Sequence, residues 1–253
     1  MRLVARTDIG HQRAENQDSY RAGKLPGDIV WAAVCDGMGG AKGGRLASSM
    51  AASGLEEAFT AGLPAVTSPA DAGEFLRAAI QYVNRAIYQK AQTTPAAHGM
   101  GTTVVCAVAC PDAAVYAHVG DSRAYLMHSG ALFQLTKDHS MVQELVEQGR
   151  ITEEEAYTHP QKNLITRALG VADCVEADCG QVALAQGDVL LLCTDGLTNY
   201  VSAEEIAPIL AQTPFYRAAD ALIDMALEAG GLDNVTALLV GVEPEEESDG
   251  NNG

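Results

Sequence analysis

The chain has 253 residues, of which 47% are hydrophobic, and it carries a formal net charge of −17 with an isoelectric point of about 4.6. Its length and apolar content suffice for one large domain or two small ones, while the acidic surplus excludes the basic footprint of a nucleic-acid-binding protein. An acidic surface also repels anionic membranes and anionic substrates, so phosphate chemistry would require metal ions and a few arginines to reverse the charge locally.

No run of about 18 apolar residues occurs, which argues against a transmembrane helix. The chain enters a strand-like segment at once and shows no signal peptide. We therefore expect a cytoplasmic protein without membrane insertion. Its six cysteines form no C-x-x-C pair and lie mostly in apolar runs, which predicts buried, reduced thiols and no zinc site.

The first half of the chain combines long helical patterns with short strand patterns. Predicted elements are strands at 2–9 and 28–35, helices at 41–61 and 71–92, and strands at 102–109, 114–119, 123–128 and 131–135. The helix at 71–92 has apolar residues at helical spacing, which is typical of a core-facing helix. Links of only a few residues join the later strands. Such links connect antiparallel neighbours, because a parallel crossover needs about a dozen residues.

The second half begins with residues 138–170, which are polar, helical only in patches, and predicted to form a surface subdomain. Further predicted elements are strands at 174–184, 188–194 and 234–242 and helices at 203–211 and 215–229. Residues 244–253 have the acidic composition of a disordered tail. Two packed antiparallel sheets with helices outside, an α+β fold, fit this order best.

Four aspartates stand where apolar strands meet turns: Asp18, Asp36, Asp195 and Asp233. An Asp-Gly pair is ordinary turn chemistry, because aspartate caps the turn and glycine accepts positive φ. Two of the four, however, open Asp-Gly-Met-Gly-Gly and Asp-Gly-Leu directly after buried strands, where an unneutralised carboxylate is costly. This placement favours a site. If the four ends converge, their hard oxygens suit Mg²⁺ or Mn²⁺.

Eight short motifs follow one another in order along the chain. They are Thr-Asp-x-Gly-x-x-Arg-x-x-Asn-Gln-Asp (7–18), Val-Cys-Asp-Gly-Met-Gly-Gly (34–40), Gly-Met-Gly-Thr-Thr (99–103), His-Val-Gly-Asp-Ser-Arg-Ala-Tyr (118–125), Lys-Asp-His-Ser (137–140), Asn-Leu-Ile-Thr-Arg-Ala-Leu-Gly (163–170), Cys-Thr-Asp-Gly-Leu-Thr-Asn (193–199) and Asp-Asn-Val-Thr (233–236). Together they are specific. Over roughly residues 3 to 242 the chain resembles the metal-dependent serine/threonine protein phosphatases of the protein phosphatase 2C type, in their compact bacterial form.

The resemblance implies a four-layer αββα sandwich, a single domain over 1–243 with a flap subdomain at about 139–165. It also implies a binuclear Mn²⁺ or Mg²⁺ centre between the sheets. By motif position, Asp36 resembles the carboxylate that bridges the two metals, and the Gly37 carbonyl binds one of them. Asp195 and Asp233 resemble ligands of the first metal.

The remaining site residues follow from the same resemblance. Asp18 resembles a carboxylate on the side of the second metal, and Asp121 resembles a residue that forms a third, weaker metal site with Asp195. Arg13 resembles the arginine that binds the substrate phosphate. The predicted catalytic residues are Asp36, Arg13 and Asp18, and the predicted metal-binding residues are Asp18, Asp36, Gly37, Asp121, Asp195 and Asp233.

The implied reaction is direct hydrolysis of phosphoserine or phosphothreonine, without a phosphoenzyme. Two divalent ions about 3.5–4 Å apart lower the pKa of a bridging water, and Arg13 can hold two phosphate oxygens. The eukaryotic branch has a histidine where Met38 stands, so its general-acid role does not transfer. His139 or His159 could reach in from the flap, although a solvated or structural role is favoured for each.

Three functions fit these features. The favoured one is an active protein phosphatase, a monomer that acts on phosphorylated proteins and opposes a bacterial serine/threonine kinase. The second is a metal-dependent phosphatase for another phosphomonoester or a specialised signalling protein, a choice that would depend on the flap. The third is a phosphoprotein-binding module without turnover. The intact set of four aspartates and Arg13 argues against the third, because a binder would not need all of them.

Overall fold

The computed structural model describes residues 1–63 and 68–243, apart from the side chains of residues 40–42, so the predicted acidic tail (244–253) lies outside the described residues. Within these ranges the chain forms eleven strands, seven α-helices and a short 3-10 helix (Pro95–Ala97). The strands are β1 (Arg2–Asp8), β2 (Asp18–Leu25), β3 (Ile29–Met38), β4 (Gly101–Thr102), β5 (Val104–Cys110), β6 (Ala113–Val119), β7 (Arg123–His128), β8 (Ala131–Gln134), β9 (Asp178–Ala183), β10 (Val189–Cys193) and β11 (Val235–Gly241). The helices are α1 (Gly40–Gly62), α2 (Pro69–Thr93), α3 (Met141–Glu147), α4 (Glu153–Thr158), α5 (Asp195–Thr198), α6 (Ala203–Gln212) and α7 (Phe215–Glu228).

The strands form two sheets. One has the order β1-β11-β10-β7-β8, and the other has the order β2-β3-β5-β6-β9 with β4 beside β3. Every pairing among these strands is antiparallel, as the short links predicted.

Strand β3 explains how the layers stack, because successive side chains of a strand point to opposite faces. Val30, Ala32 and Val34 face the other sheet and share a buried cluster with Leu192 and Leu238. The residues between them pack against α1 and α2 in a separate cluster. Helices α6 and α7 cover the outer face of the other sheet. The layer order is therefore α, β, β, α, which confirms the predicted α+β sandwich.

Most predicted elements occur within a few residues of their predicted bounds. The amphipathic helix predicted at 71–92 is α2, which begins after the capping residue Ser68, and its apolar stripe is buried as expected. The strand predicted at 174–184 is shorter, since β9 covers only Asp178–Ala183. Among the described residues, no helix is long and apolar enough to cross a membrane.

Strand β2 was not predicted and corrects the sequence interpretation. Its sequence, DSYRAGKL, mixes charged and small residues without a clear apolar alternation. It forms because eight successive residues pair with β3, from Asp18 opposite Asp36 to Leu25 opposite Ile29. Gly23 permits this pairing, because a side chain there would collide with the ring of Trp31.

The segment from 139 to 165 extends away from the sheets, and its two ends lie beside each other. Ser140 bridges to Ile165, and the Thr166 N–H donates to the His139 carbonyl at 2.8 Å. Between these points lie α3 and α4, and α4 begins with a capping box formed by Thr152 and Glu155. We call residues 139–165 the flap, as in the sequence prediction.

Candidate metal centre

The four aspartates predicted from strand ends meet at one end of the sandwich, and each sheet supplies two of them. Asp18 opens β2 and lies opposite Asp36 of β3. Asp195 lies two residues after the end of β10, and Asp233 lies two residues before the start of β11, which is the neighbour of β10. The ends of two neighbouring strands in each sheet therefore face one another across the interface.

These ends enclose a cleft of about 620 Å³. Six predicted site residues line it: Arg13, Asp36, Gly37, Asp121, Asp195 and Asp233. Asp18 does not line the cleft and is only 8% exposed. The structure thus gathers the predicted residues, with Asp18 one layer below the surface of the cleft.

Asp18 is a buried carboxylate that is only partly satisfied. Its Oδ2 accepts hydrogen bonds from the hydroxyls of Thr194 at 2.9 Å and Thr236 at 2.7 Å. Its Oδ1 is buried and has no partner among the described residues. Burial raises the pKa of Asp18 to about 7, although the two hydroxyls act in the opposite direction. A buried, unpartnered oxygen of this kind is unfavourable unless a cation binds it.

The backbone of Asp36 is fixed by the Gly-Met-Gly-Thr-Thr motif. The Asp36 N–H donates to the Thr103 hydroxyl at 3.0 Å, and its carbonyl accepts from the Thr103 N–H and the Thr102 hydroxyl, both at 2.8 Å. Burial raises the pKa of the Asp36 carboxyl well above its usual range, and three nearby aspartates, Asp18 foremost, raise it further.

Asp195 lies near Asp36, and its charge is one of those that raise the pKa of the Asp36 carboxyl. Its Oδ2 accepts from Asn199 Nδ2 at 2.8 Å, whereas its Oδ1 is buried without a partner in the described part of the chain. Burial raises the pKa of Asp195, and the charge of Asp233 adds to the effect. Burial likewise raises the pKa of Asp121, which is 8% exposed.

Gly37 lies where α1 passes close to the end of β3. A Cβ at this position would overlap the carbonyl oxygen of Gly44, so the close approach of the two backbones requires glycine here. The Gly37 N–H donates to the carbonyl of Gln17 at 3.1 Å. This bond holds the end of β3 against the loop that precedes Asp18.

Arg13 is the only cationic side chain among the described residues that line the cleft. Its Nη2 donates to Asp233 Oδ2 at 2.7 Å, and 53% of its side chain is exposed. This hydrogen bond to Asp233 raises the pKa of Arg13, which therefore remains charged. One arginine cannot balance the carboxylates around it, so the donor set calls for additional cations, and its hard oxygens suit Mn²⁺ or Mg²⁺.

Sequence analysis missed several residues that build the site, although they stand inside the quoted motifs. Asn234 is one of them. Its Oδ1 accepts from the Gln17 N–H at 2.8 Å, and its Nδ2 donates to the carbonyls of Ile9 at 2.9 Å and Glu15 at 3.1 Å. Asn234 thereby fastens the loop that carries Arg13 to the start of β11. Other missed residues are Asn16, Thr194, Asn199 and Thr236.

A second group of possible ligands, formed by His118, His139 and Asp178, lies outside the cleft, with ligand atoms within 4.8 Å of one another. His139 Nδ1 accepts from the Gly120 N–H at 3.1 Å, so this ring nitrogen is already engaged. Its Nε2 lies 3.4 Å from Asp178 Oδ2 and 3.3 Å from Arg167 Nη1. Arg167 also donates to Asp178, at 2.9 Å. The group is a hydrogen-bonded support at the root of the flap.

The two flap histidines considered as general acids do not line the cleft. His139 is buried in the support just described, and burial lowers its pKa. His159 Nδ1 accepts from the Gln161 N–H within a turn of the flap, at 3.1 Å. Their contacts agree with the structural role that the sequence favoured.

Comparisons with known proteins agree on one family. The family model described as protein phosphatase 2C matches residues 9–229. The serine/threonine phosphatase stp of Listeria monocytogenes is 42% identical over 241 residues, which cover 95% of this chain and 95% of that protein. The serine/threonine phosphatase of S. agalactiae has a similar structure, with a TM-score of 0.89 and 38% identity over 96% of this chain and 99% of that one. The catalytic domain of the phosphatase PstP, solved with two manganese ions, gives a TM-score of 0.82 and 38% identity over 94% and 96% of the two chains.

Proposed function

This chain belongs to the protein phosphatase 2C family and is a metal-dependent serine/threonine protein phosphatase; on that premise we propose which of its residues perform the reaction. The observation that carries the assignment is the pair of buried carboxylate oxygens, Asp18 Oδ1 and Asp195 Oδ1, that lack a partner among the described residues. Both belong to one cluster at the meeting point of the two sheets. They are where hard divalent cations would be most strongly stabilised.

We propose two ions in this cluster, Mn²⁺ or Mg²⁺, with Asp36 shared between them. Asp195 and Asp233 would hold the first ion, and the Gly37 carbonyl and Asp18 would serve the second, Asp18 directly or through a water. Asp121 with Asp195 would provide a third, weaker site. When bound, such ions lower the pKa of a water and neutralise charge on the phosphate. The solved PstP domain carries two manganese ions, which supports two as the core number.

Arg13 binds the phosphate in this proposal. The guanidinium has five N–H donors in a planar fork, so its bond to Asp233 leaves others for two phosphate oxygens. Asp233 in turn anchors the side chain beside the metal ligands. No serine, cysteine or histidine lines the cleft in the described structure, and its aspartates are assigned here to the ions, so the proposed nucleophile is water.

The substrate we propose is a phosphoserine or phosphothreonine within a polypeptide. A second cleft of about 490 Å³ shares Asp121 and Asp195 with the first and runs between the flap and β7–β8. Its walls include Gln134, Val142 and Tyr157, which can receive residues that flank the phosphorylated side chain. A small phosphomonoester would not need this second cleft, so the shape favours protein substrates.

The wider assignment follows from these features. We propose that residues 1–243 act as one catalytic domain, with the flap at 139–165 as a wall of the site through Asn163 and Ile165. We also propose that the protein opposes a serine/threonine kinase, because a phosphatase of this specificity removes the product of such a kinase. We further propose that it works as a monomer.

The test compares wild type, Asp36→Asn and the control Asp173→Asn, whose side chain is exposed and does not line the cleft. Hydrolysis of p-nitrophenyl phosphate should require Mn²⁺, persist in Asp173→Asn and fall by at least 100-fold in Asp36→Asn. A panel of phosphopeptides should then be hydrolysed with higher kcat/KM than p-nitrophenyl phosphate. Mn²⁺-independent turnover, or full activity in Asp36→Asn, would contradict the metal assignment. Phosphopeptide binding without any turnover would support the binding-module alternative.

A further inference from the structure

We propose that Asn199 is a positioning residue that orients the metal ligand Asp195 and couples this orientation to the flap. The proposal rests on the ligand set given above, in which Asp195 binds the first metal. It goes further by assigning a role to a residue outside that set. It also states that metal binding and flap docking strengthen each other.

Asn199 lies one helical turn after Asp195, at the C-terminal end of α5. Its backbone N–H donates to the Asp195 carbonyl at 2.8 Å, and its side-chain Nδ2 donates to Asp195 Oδ2 at 2.8 Å. The second bond engages one oxygen of the carboxylate and leaves the other, Oδ1, buried and without a partner among the described residues. Asn199 therefore fixes which oxygen of Asp195 is available to a cation.

The same amide group reaches the flap. Its two hydrogens can serve two acceptors, and Nδ2 also lies 3.4 Å from Asn163 Oδ1. The orientation of the Asn199 amide is fixed, because the Asp195 carboxylate can only accept. A single NH₂ group thus stands between a metal ligand and the flap wall of the cleft.

Lys162, the flap residue next to Asn163, also contacts Asn199. Its Nζ donates to the backbone carbonyl of Asn199 at 3.3 Å. The ammonium also lies over two aromatic rings, 5.1 Å from the centroid of Tyr157 in the flap and 5.7 Å from that of Tyr200 in the body. Cation–π attraction to both rings favours the docked flap.

This arrangement couples two equilibria. If docking of the flap helps Asn199 to hold Asp195, a docked flap increases the affinity for the metal, and bound metal favours docking by the same factor. Loss of a residue that orients a metal ligand commonly reduces metal affinity by about 10–100-fold. Because the contact between Asn199 and Asn163 is longer, loss of Asn163 should reduce metal affinity by only a few-fold.

The experiment measures Mn²⁺ affinity by isothermal titration calorimetry in wild type, Asn199→Ala, Asn163→Ala and the double variant. Gln161→Ala, which alters an exposed side chain in the same flap loop, is the control. We expect about tenfold weaker binding in Asn199→Ala, a few-fold loss in Asn163→Ala, and no further loss when Asn163→Ala is added to Asn199→Ala. Wild-type affinity in Asn199→Ala would overturn the positioning role, and additive losses would overturn the link to the flap.

Hydrogen–deuterium exchange of α3 and α4 supplies a readout that does not depend on activity. Mn²⁺ should slow exchange of the flap in wild type and in Gln161→Ala, but not in Asn199→Ala. A flap that responds equally in all three would refute the coupling. Failure of wild type to bind Mn²⁺ at all would instead refute the ligand assignment on which the proposal rests.

Discussion

Replacing Asp18 by asparagine should stabilise the metal-free protein in alkaline solution, although the residue is a proposed part of the metal centre. Burial raises the pKa of Asp18 to about 7 in the folded state. In the unfolded chain its pKa returns to about 4. A carboxyl whose pKa is raised by folding destabilises the fold above its unfolded pKa, because the unfolded state ionises first.

The magnitude follows from the two pKa values. Each tenfold change in acid dissociation corresponds to about 1.4 kcal/mol. The penalty therefore begins near pH 4, is about 1–2 kcal/mol at pH 5, and reaches about 4 kcal/mol above pH 7. The asparagine of the variant cannot ionise and escapes this penalty. We expect Asp18→Asn to exceed wild type in free energy of unfolding by about 2–4 kcal/mol at pH 8, and to match it at pH 4.

The assay is urea unfolding in EDTA at pH 4, 5 and 8, with Asp173→Asn as an exposed control. The control should follow wild type at each pH. Mn²⁺ should reverse the order at pH 8, because a ligand that binds only the folded state stabilises it and the variant has lost part of the site. Metal-free wild type that equals or exceeds Asp18→Asn at pH 8 would refute the proposed ionisation of Asp18.

Three further changes test neighbouring parts of the structure. Thr236→Val removes a hydroxyl that donates to Asp18 at 2.7 Å. Relative to wild type, it should lower the metal-free unfolding free energy by about 1–2 kcal/mol at pH 8 but by much less at pH 4 in the same urea series. An equal loss at both pH values would contradict this. Gly196→Ala would drive a methyl group into the Asn234 carbonyl and should lower the melting temperature by several degrees in a thermal scan, whereas an unchanged value would show that the backbone can yield. Arg13→Ala should raise KM for p-nitrophenyl phosphate at least tenfold while Mn²⁺ affinity in calorimetry stays within a few-fold, and an unchanged KM would remove Arg13 from phosphate binding.

The fold could be predicted where local pattern and tertiary packing agree. Helix α2 is such a case, since the residues at helical spacing, including Leu76, Ile80 and Val83, are the ones that are buried. Strand β2 could not be predicted, because its local sequence is polar and it becomes a strand only by pairing with β3. Tertiary pairing therefore outweighed local propensity.

The site was predictable to the same extent. Aspartates next to glycine at the ends of apolar strands indicated which carboxylates would meet, and the family resemblance indicated their roles. The burial of Asp18 was beyond sequence reasoning, because its hydroxyl partners Thr194 and Thr236 are 176 and 218 residues away along the chain. Likewise, nothing in the local sequence of the flap shows that Asn163 would lie beside Asn199.

The equal contribution of the two sheets to the cluster makes catalysis sensitive to how the layers are aligned. If one sheet slid past the other by a single residue, about 3.3 Å, its two carboxylates would leave their counterparts while most of the apolar interface could still close. Substitutions deep between the sheets can therefore abolish phosphatase activity well before they unfold the protein. Screens for destabilised variants should record metal occupancy as well as melting temperature, because metal binding at the cleft reports small shifts between the two sheets.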